Sequence, residues 1–142
     1  IASSNYTVSY ASGRKLPGTY TVKVTMKGSY TGSKTLTFAI RGKQMSVSKL
    51  TALSKGFKAT WAKQSYVTGY QVQYSTSSKF TAKTTKTATI SKYTTTSKTV
   101  TKLKAKTKYY VRVRSYKTTK IGGKNYNVYS AWSKAKAVTT KK

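Results

Sequence analysis

Apolar and polar residues alternate along most of the chain with a period of two, and no stripe of helical period persists over about ten residues. Valine, threonine and tyrosine fill the alternating runs, the residue types that suit a pleated, half-buried surface. Three runs near the start, Asn5–Tyr10, Thr19–Met26 and Lys34–Ile40, are expected strands, separated by turn chemistry at Ser12-Gly13, Pro17-Gly18 and Gly28 to Gly32. Arg41-Gly42-Lys43 then has the look of a short linker. Beyond it the pattern predicts strands at Ser46–Leu53, Phe57–Ala62, Tyr70–Ser75, Thr87–Ser91, Lys98–Leu103, Tyr109–Tyr116 and Ala131–Thr139. The stretch from Lys117 to Asn127, with Ile121-Gly122-Gly123-Lys124 inside it, is expected to be the longest hairpin loop. The fold class is therefore all-β. It divides into a partial three-stranded unit over 1–41, a linker at 42–44 and a β-sandwich with a basic tail over 45–142.

Charge changes the picture more than any motif. Among 142 residues there are 29 Lys and Arg and no Asp, Glu or His, so the formal net charge is +29. Roughly 17 acidic residues would be ordinary at this length. So complete a bias reflects selection or engineering. Hydrophobic residues still make up 37% and aromatics 13%. Basic disordered tails lack such apolar content, so this chain is expected to fold. It opens on Ile1 rather than Met and is expected to be a processed or excised piece. No apolar run approaches the roughly 18 residues a membrane span needs.

The missing residue types exclude most chemistry. Without Asp, Glu, His or Cys there is no conventional side-chain general base near neutral pH. Paired carboxylates and Ser-His-Asp triads are equally out of reach. Calcium and magnesium sites want carboxylates and zinc wants His or Cys, so no ordinary side-chain metal site can be assembled. No phosphate-binding glycine loop is present either. A Ser–Lys dyad stays formally open, but both residues are so abundant that no pair stands out. The expectation is a non-enzyme with no cofactor and no metal.

Within the sandwich segment several residues fall into a known pattern. Trp61 lies in the second strand, and Leu103, Ala105, Thr107 and Tyr109 fit Leu-x-Pro-x-Thr-x-Tyr with Ala105 where proline is usual. Val111 and Val113 follow, facing Tyr70, Val72 and Tyr74, and Ser130-Ala131-Trp132-Ser133 fits a last-strand Ser-x-Trp-Ser. On these residues, about 45–140 resembles a fibronectin type III domain, an immunoglobulin-like sandwich. The resemblance implies a buried Trp61 and a corner Tyr109 whose hydroxyl ties back to the backbone upstream. Residues 1–41, on Gly18-Thr-Tyr20-Thr-Val22-Lys-Val24 and Gly28-Ser-Tyr30-Thr-Gly32, resemble the trailing half of immunoglobulin-like repeats in Gram-positive surface proteins. That implies an extracellular module, secreted or associated with a cell wall.

Candidate binding residues follow from charge and alternation. Arg112 and Arg114 alternate with Val111 and Val113 and so face outward beside Tyr110 and Tyr116. They form either a cationic, aromatic-flanked binding stripe or cation–π partners of Trp132. Lys117, Lys120 and Lys124 surround the Gly122-Gly123 tip, and Lys134 and Lys136 sit in the basic tail. The leading partner class is an anionic polymer or surface: wall teichoic acid, acidic glycans, acidic lipid, with non-specific nucleic-acid binding in vitro. Alternatives are a secreted fibronectin type III ligand that acts on a host receptor, and a purely structural spacer. The N-terminal strands leave an open edge through which copies can pair into an oligomer.

Overall fold

The alternating runs fold as antiparallel strands in the computed structural model, which describes residues 1–142. Strands β1 (Tyr6–Tyr10), β2 (Gly18–Met26) and β3 (Ser33–Ile40) make a meander in the order β1-β2-β3. The remaining strands are β4 (Val47–Leu53), β5 (Gly56–Trp61), β6 (Gly69–Ser75), β7 (Thr85–Ile90), β8 (Ser97–Val100), β9 (Lys108–Ile121), β10 (Lys124–Tyr129) and β11 (Lys136–Thr139). They form two sheets, β4-β5-β8 and β10-β9-β6-β7, with β11 also paired to β9. No helix is long and apolar enough to cross a membrane.

Alternation places Val47, Phe57, Ala59 and Trp61 from one sheet against Tyr70, Val72, Val111 and Val113 from the other, and all are buried. Each fully buried side chain of this size contributes about 1.5–3 kcal/mol. Trp61 packs on Tyr70 with ring centroids 5.5 Å apart. Gly69 lets β6 approach its neighbour closely, because a Cβ there would meet the Ile90 carbonyl oxygen at 1.9 Å.

The structure departs from the sequence pattern in three places. Lys117 to Asn127 is no loop. β9 runs on to Ile121, β10 pairs back along it from Lys124, and only Gly122 and Gly123 turn the corner. Both have positive φ, +54° and +82°, as a tight two-residue hairpin requires. The high polarity of that stretch hid two strands whose backbones are satisfied by each other.

The last strand is also interrupted. From the Tyr129–Tyr116 pair to the Lys136–Val111 pair it advances seven residues while β9 moves five, so two extra residues are absorbed between β10 and β11. There Ser130 and Ser133 replace the ladder. Each backbone N–H donates to β9, and each hydroxyl accepts from it, Ser130 Oγ from Ser115 N and Ser133 Oγ from Val113 N.

The third departure concerns Tyr109. Its hydroxyl makes no hydrogen bond to the backbone, and the turn before it is held by threonines. Thr140 Oγ1 donates to the Lys104 carbonyl at 2.6 Å and Thr107 Oγ1 to the Ala105 carbonyl at 2.8 Å. The hydroxyl tie is made by Tyr70, which accepts from Gln64 N and donates to the Tyr93 carbonyl.

The β1–β3 sheet sits at the far end of β9. Gly18 and Thr19 are buried there, and Thr19 N donates to Thr119 Oγ1 at 3.2 Å. Register places Tyr6, Val8, Tyr10, Tyr20, Val22, Val24, Leu36 and Phe38 on one face of this sheet. That face is only partly covered: Val8 is 41% exposed, Tyr10 56% and Leu36 50%.

Candidate functional site

The outer face of the larger sheet carries the arginines. Register sets Arg112 opposite Gln73 and Arg114 opposite Gln71. Each guanidinium donates through both Nε and Nη2 to one glutamine Oε1, at 2.9 and 2.7 Å in both pairs. The glutamines are held from the far side, where Gln71 Nε2 donates to Thr89 and Gln73 Nε2 to Thr87.

Aromatic rings close over these pairs. Arg114 Cζ lies 3.9 Å from the Tyr129 ring centroid and 4.2 Å from that of Trp132. Arg112 Cζ lies 4.8 Å from Trp132 and 4.0 Å from Phe80. The result is one stack, Tyr129–Arg114–Trp132–Arg112–Phe80. The two-residue excursion between β10 and β11 is where Trp132 enters the stack. Each cation–π contact is worth about 0.5–2 kcal/mol. Burial lowers the pKa of both arginines. At Arg114 the phenol of Tyr129 offsets that effect, while Arg112 adds to it. Both stay charged at any ordinary pH. The Nη1 group of each has no partner in the chain, so the face still presents donors to an anion.

The other candidates do not gather here. Lys120 shares the outer face of β9, opposite Asn125. Lys117 and Lys124 point to the opposite face with Val128, and Lys124 Nζ lies 5.8 Å from the Tyr126 ring centroid. Lys134 is exposed between β10 and β11, and Lys136 Nζ reaches the Ser48 carbonyl at 3.4 Å. Trp61 is in the core, and Leu103 packs half-buried against it. Gln71, Gln73, Phe80 and Tyr129 were missed from sequence. A usable signal was there for the glutamines, which repeat at the same spacing of two as the arginines they serve.

The fibronectin type III domain profile matches residues 38–130, about two thirds of the chain. This chain belongs to the fibronectin type III family, whose domains are generally non-catalytic binding or structural modules and are often extracellular. The FN1-FN3 domains of chicken CNTN1 are similar in structure, with a TM-score of 0.56 at 18% identity, over 89% of this chain and 42% of that one. Domains A168-A170 from titin align over 100% of this chain and 51% of theirs, with a TM-score of 0.45 at 20% identity. This chain thus spans about half or less of either structure's length. No curated protein sequence matches it.

Proposed function

We propose that this chain is a secreted or wall-associated module of a bacterium that holds anionic polymers, among them wall teichoic acid and acidic glycans, by electrostatics and without catalysis. The observation that carries this reading is a folded sandwich with 29 cationic side chains and no acidic one. Every approach to its surface meets the same sign of charge. Neutralising phosphates, sulfates or carboxylates along a polymer releases its condensed counterions and favours binding to any chain of sufficient charge density. The resemblance of residues 1–41 to Gram-positive surface repeats supports the bacterial part of the reading.

The Tyr129–Arg114–Trp132–Arg112–Phe80 stack favours a second reading, a structural spacer, because the two arginines already have partners inside the chain. Titration separates the two. Heparin, teichoic acid and random DNA are each titrated between about 50 and 300 mM salt. Affinity for all three is expected to fall steeply, with little preference among them. Weak binding at the low end, or a flat response across the series, overturns the polymer reading and leaves the spacer.

A further inference from the structure

At the end of the sandwich away from the β1–β3 sheet, the two sheets part around a cavity of about 410 Å³. Four lysines line it: Lys83 from the turn before β7, Lys86 from the start of β7, and Lys102 and Lys104 from the turn after β8. Its floor is made by Tyr74, Tyr109 and Leu103. Tyr109 is 7% exposed and Tyr74 half-buried, and the hydroxyls of both, without a hydrogen-bond partner in the chain, remain open to solvent at the cavity. Both phenols are therefore free to donate into the cavity. In the turn upstream, the Lys104 and Ala105 carbonyls accept from threonine hydroxyls.

The frame around the cavity is fixed. Lys86 is the cross-strand neighbour of Tyr74, and the rings of Tyr74 and Tyr109 meet edge-on at 6.4 Å. Leu103 N donates to the Lys55 carbonyl at 2.8 Å and pins the turn that carries Lys102 and Lys104. Lys102 is held at φ +58°, a left-handed conformation uncommon for a residue with a Cβ. No acidic side chain exists to balance the four ammonium groups.

We propose that this cavity seats one tetrahedral oxyanion ester, a phosphate or sulfate group on a polyanionic chain, with the Tyr74 and Tyr109 hydroxyls and the surrounding lysines as donors. This rests on the polymer reading above and gives it a site. Charged acceptors strengthen the hydrogen bonds they receive, so two phenol donors in the cavity wall add selectivity to what lysines alone attract diffusely. Burial, with a smaller push from Tyr109, raises the pKa of Tyr74, which keeps it a proton donor across the physiological range. The space exceeds what a bare oxyanion fills and leaves room for the sugar or glycerol unit that carries it.

The test uses the intact chain and three probes: a heparin-derived sulfated pentasaccharide, an oligo(glycerol phosphate) and inorganic phosphate. Tyr74→Phe and Tyr109→Phe remove a hydroxyl each and change no charge. Each is expected to weaken at least one ester probe about tenfold at fixed salt, with melting temperature unchanged. The probe that responds tells sulfate from phosphate ester, and inorganic phosphate shows how much the carrier adds. A quadruple Lys83, Lys86, Lys102, Lys104→Gln variant is expected to lose more affinity than a matched Lys23, Lys27, Lys34, Lys49→Gln variant. Phenylalanine variants that bind both ester probes as tightly as the parent overturn the site, as do equal losses in the two quadruple variants. Steep salt dependence would then survive as a diffuse cloud of charge. A parent chain that binds no polyanion at about 50 mM salt instead removes the broader reading itself.

Discussion

Arg114 shows how a cationic side chain can be taken up by structure. Its guanidinium spends two N–H groups on Gln71 and both faces on Tyr129 and Trp132. A lysine there keeps the charge but loses the planar fork and the stacking surface. Arg114→Lys is therefore expected to lower stability by about 1–2 kcal/mol while heparin affinity stays within about twofold. Denaturant melts and a heparin titration on the same variant check this. Unchanged stability with weakened binding would reverse the assignment and make Arg114 a contact residue. Trp132 touches both arginines, so Trp132→Ala is expected to cost about 1–4 kcal/mol, the worth of its two cation–π contacts, one on each side.

At the level of elements, the sandwich and the β1–β3 sheet differ in what secures them. The sandwich buries a contiguous core between two sheets, whereas β1 and β3 are both edges of a sheet whose apolar face is half open to water. Regions with few buried apolar contacts open first. Amides of β1 are expected to exchange hydrogen far faster than those of β6 and β9, with light scattering showing a monomer at low salt because like-charged copies repel. Equal protection in β1 and β9 would show the sheet to be part of one cooperative unit. A dimer at low salt would instead point to pairing of the open strands between copies. The strands with strict alternation were legible in the sequence, as were the core residues Trp61, Val72, Val111 and Val113. Two features were not legible. In the β9–β10 hairpin Ile121, Tyr126 and Val128 share one face with Lys117, Thr119 and Lys124, so the apolar alternation is diluted by polar residues, and the break at Ser130–Ser133 depends on serine hydroxyls standing in for backbone. The cavity lysines were invisible for another reason: Lys83 and Lys102 are far apart in the chain, and only the closing of the sandwich end brings them near Tyr109.

For the molecule as a whole, stability follows from a surface on which every side-chain charge is positive. Acid denaturation mostly reflects native carboxylates that must take up protons, and no side-chain carboxylate or histidine exists here. Between about pH 2 and 7 almost nothing but the termini titrates, so stability is expected to be nearly flat at fixed ionic strength. With no acidic side chains there are no side-chain ion pairs for salt to weaken, only repulsions for it to screen, and salt should stabilise. At the alkaline end two effects oppose each other. Loss of positive charge from the surface relieves repulsion and raises stability. Tyr74 works the other way. Burial raises its folded pKa above the usual 10.0. The folded state therefore holds that proton more tightly, and the contribution present below about pH 10 is lost as pH climbs through the raised value. Melts at about pH 2.5, 4.5 and 7, each with and without about 0.5 M salt, should superimpose within each salt series, with the high-salt series the hotter. Tyr74→Phe should remove part of any alkaline decline. A sharp fall in melting temperature at pH 2.5, or a fall on adding salt, would mean that something other than fixed positive charge governs the fold.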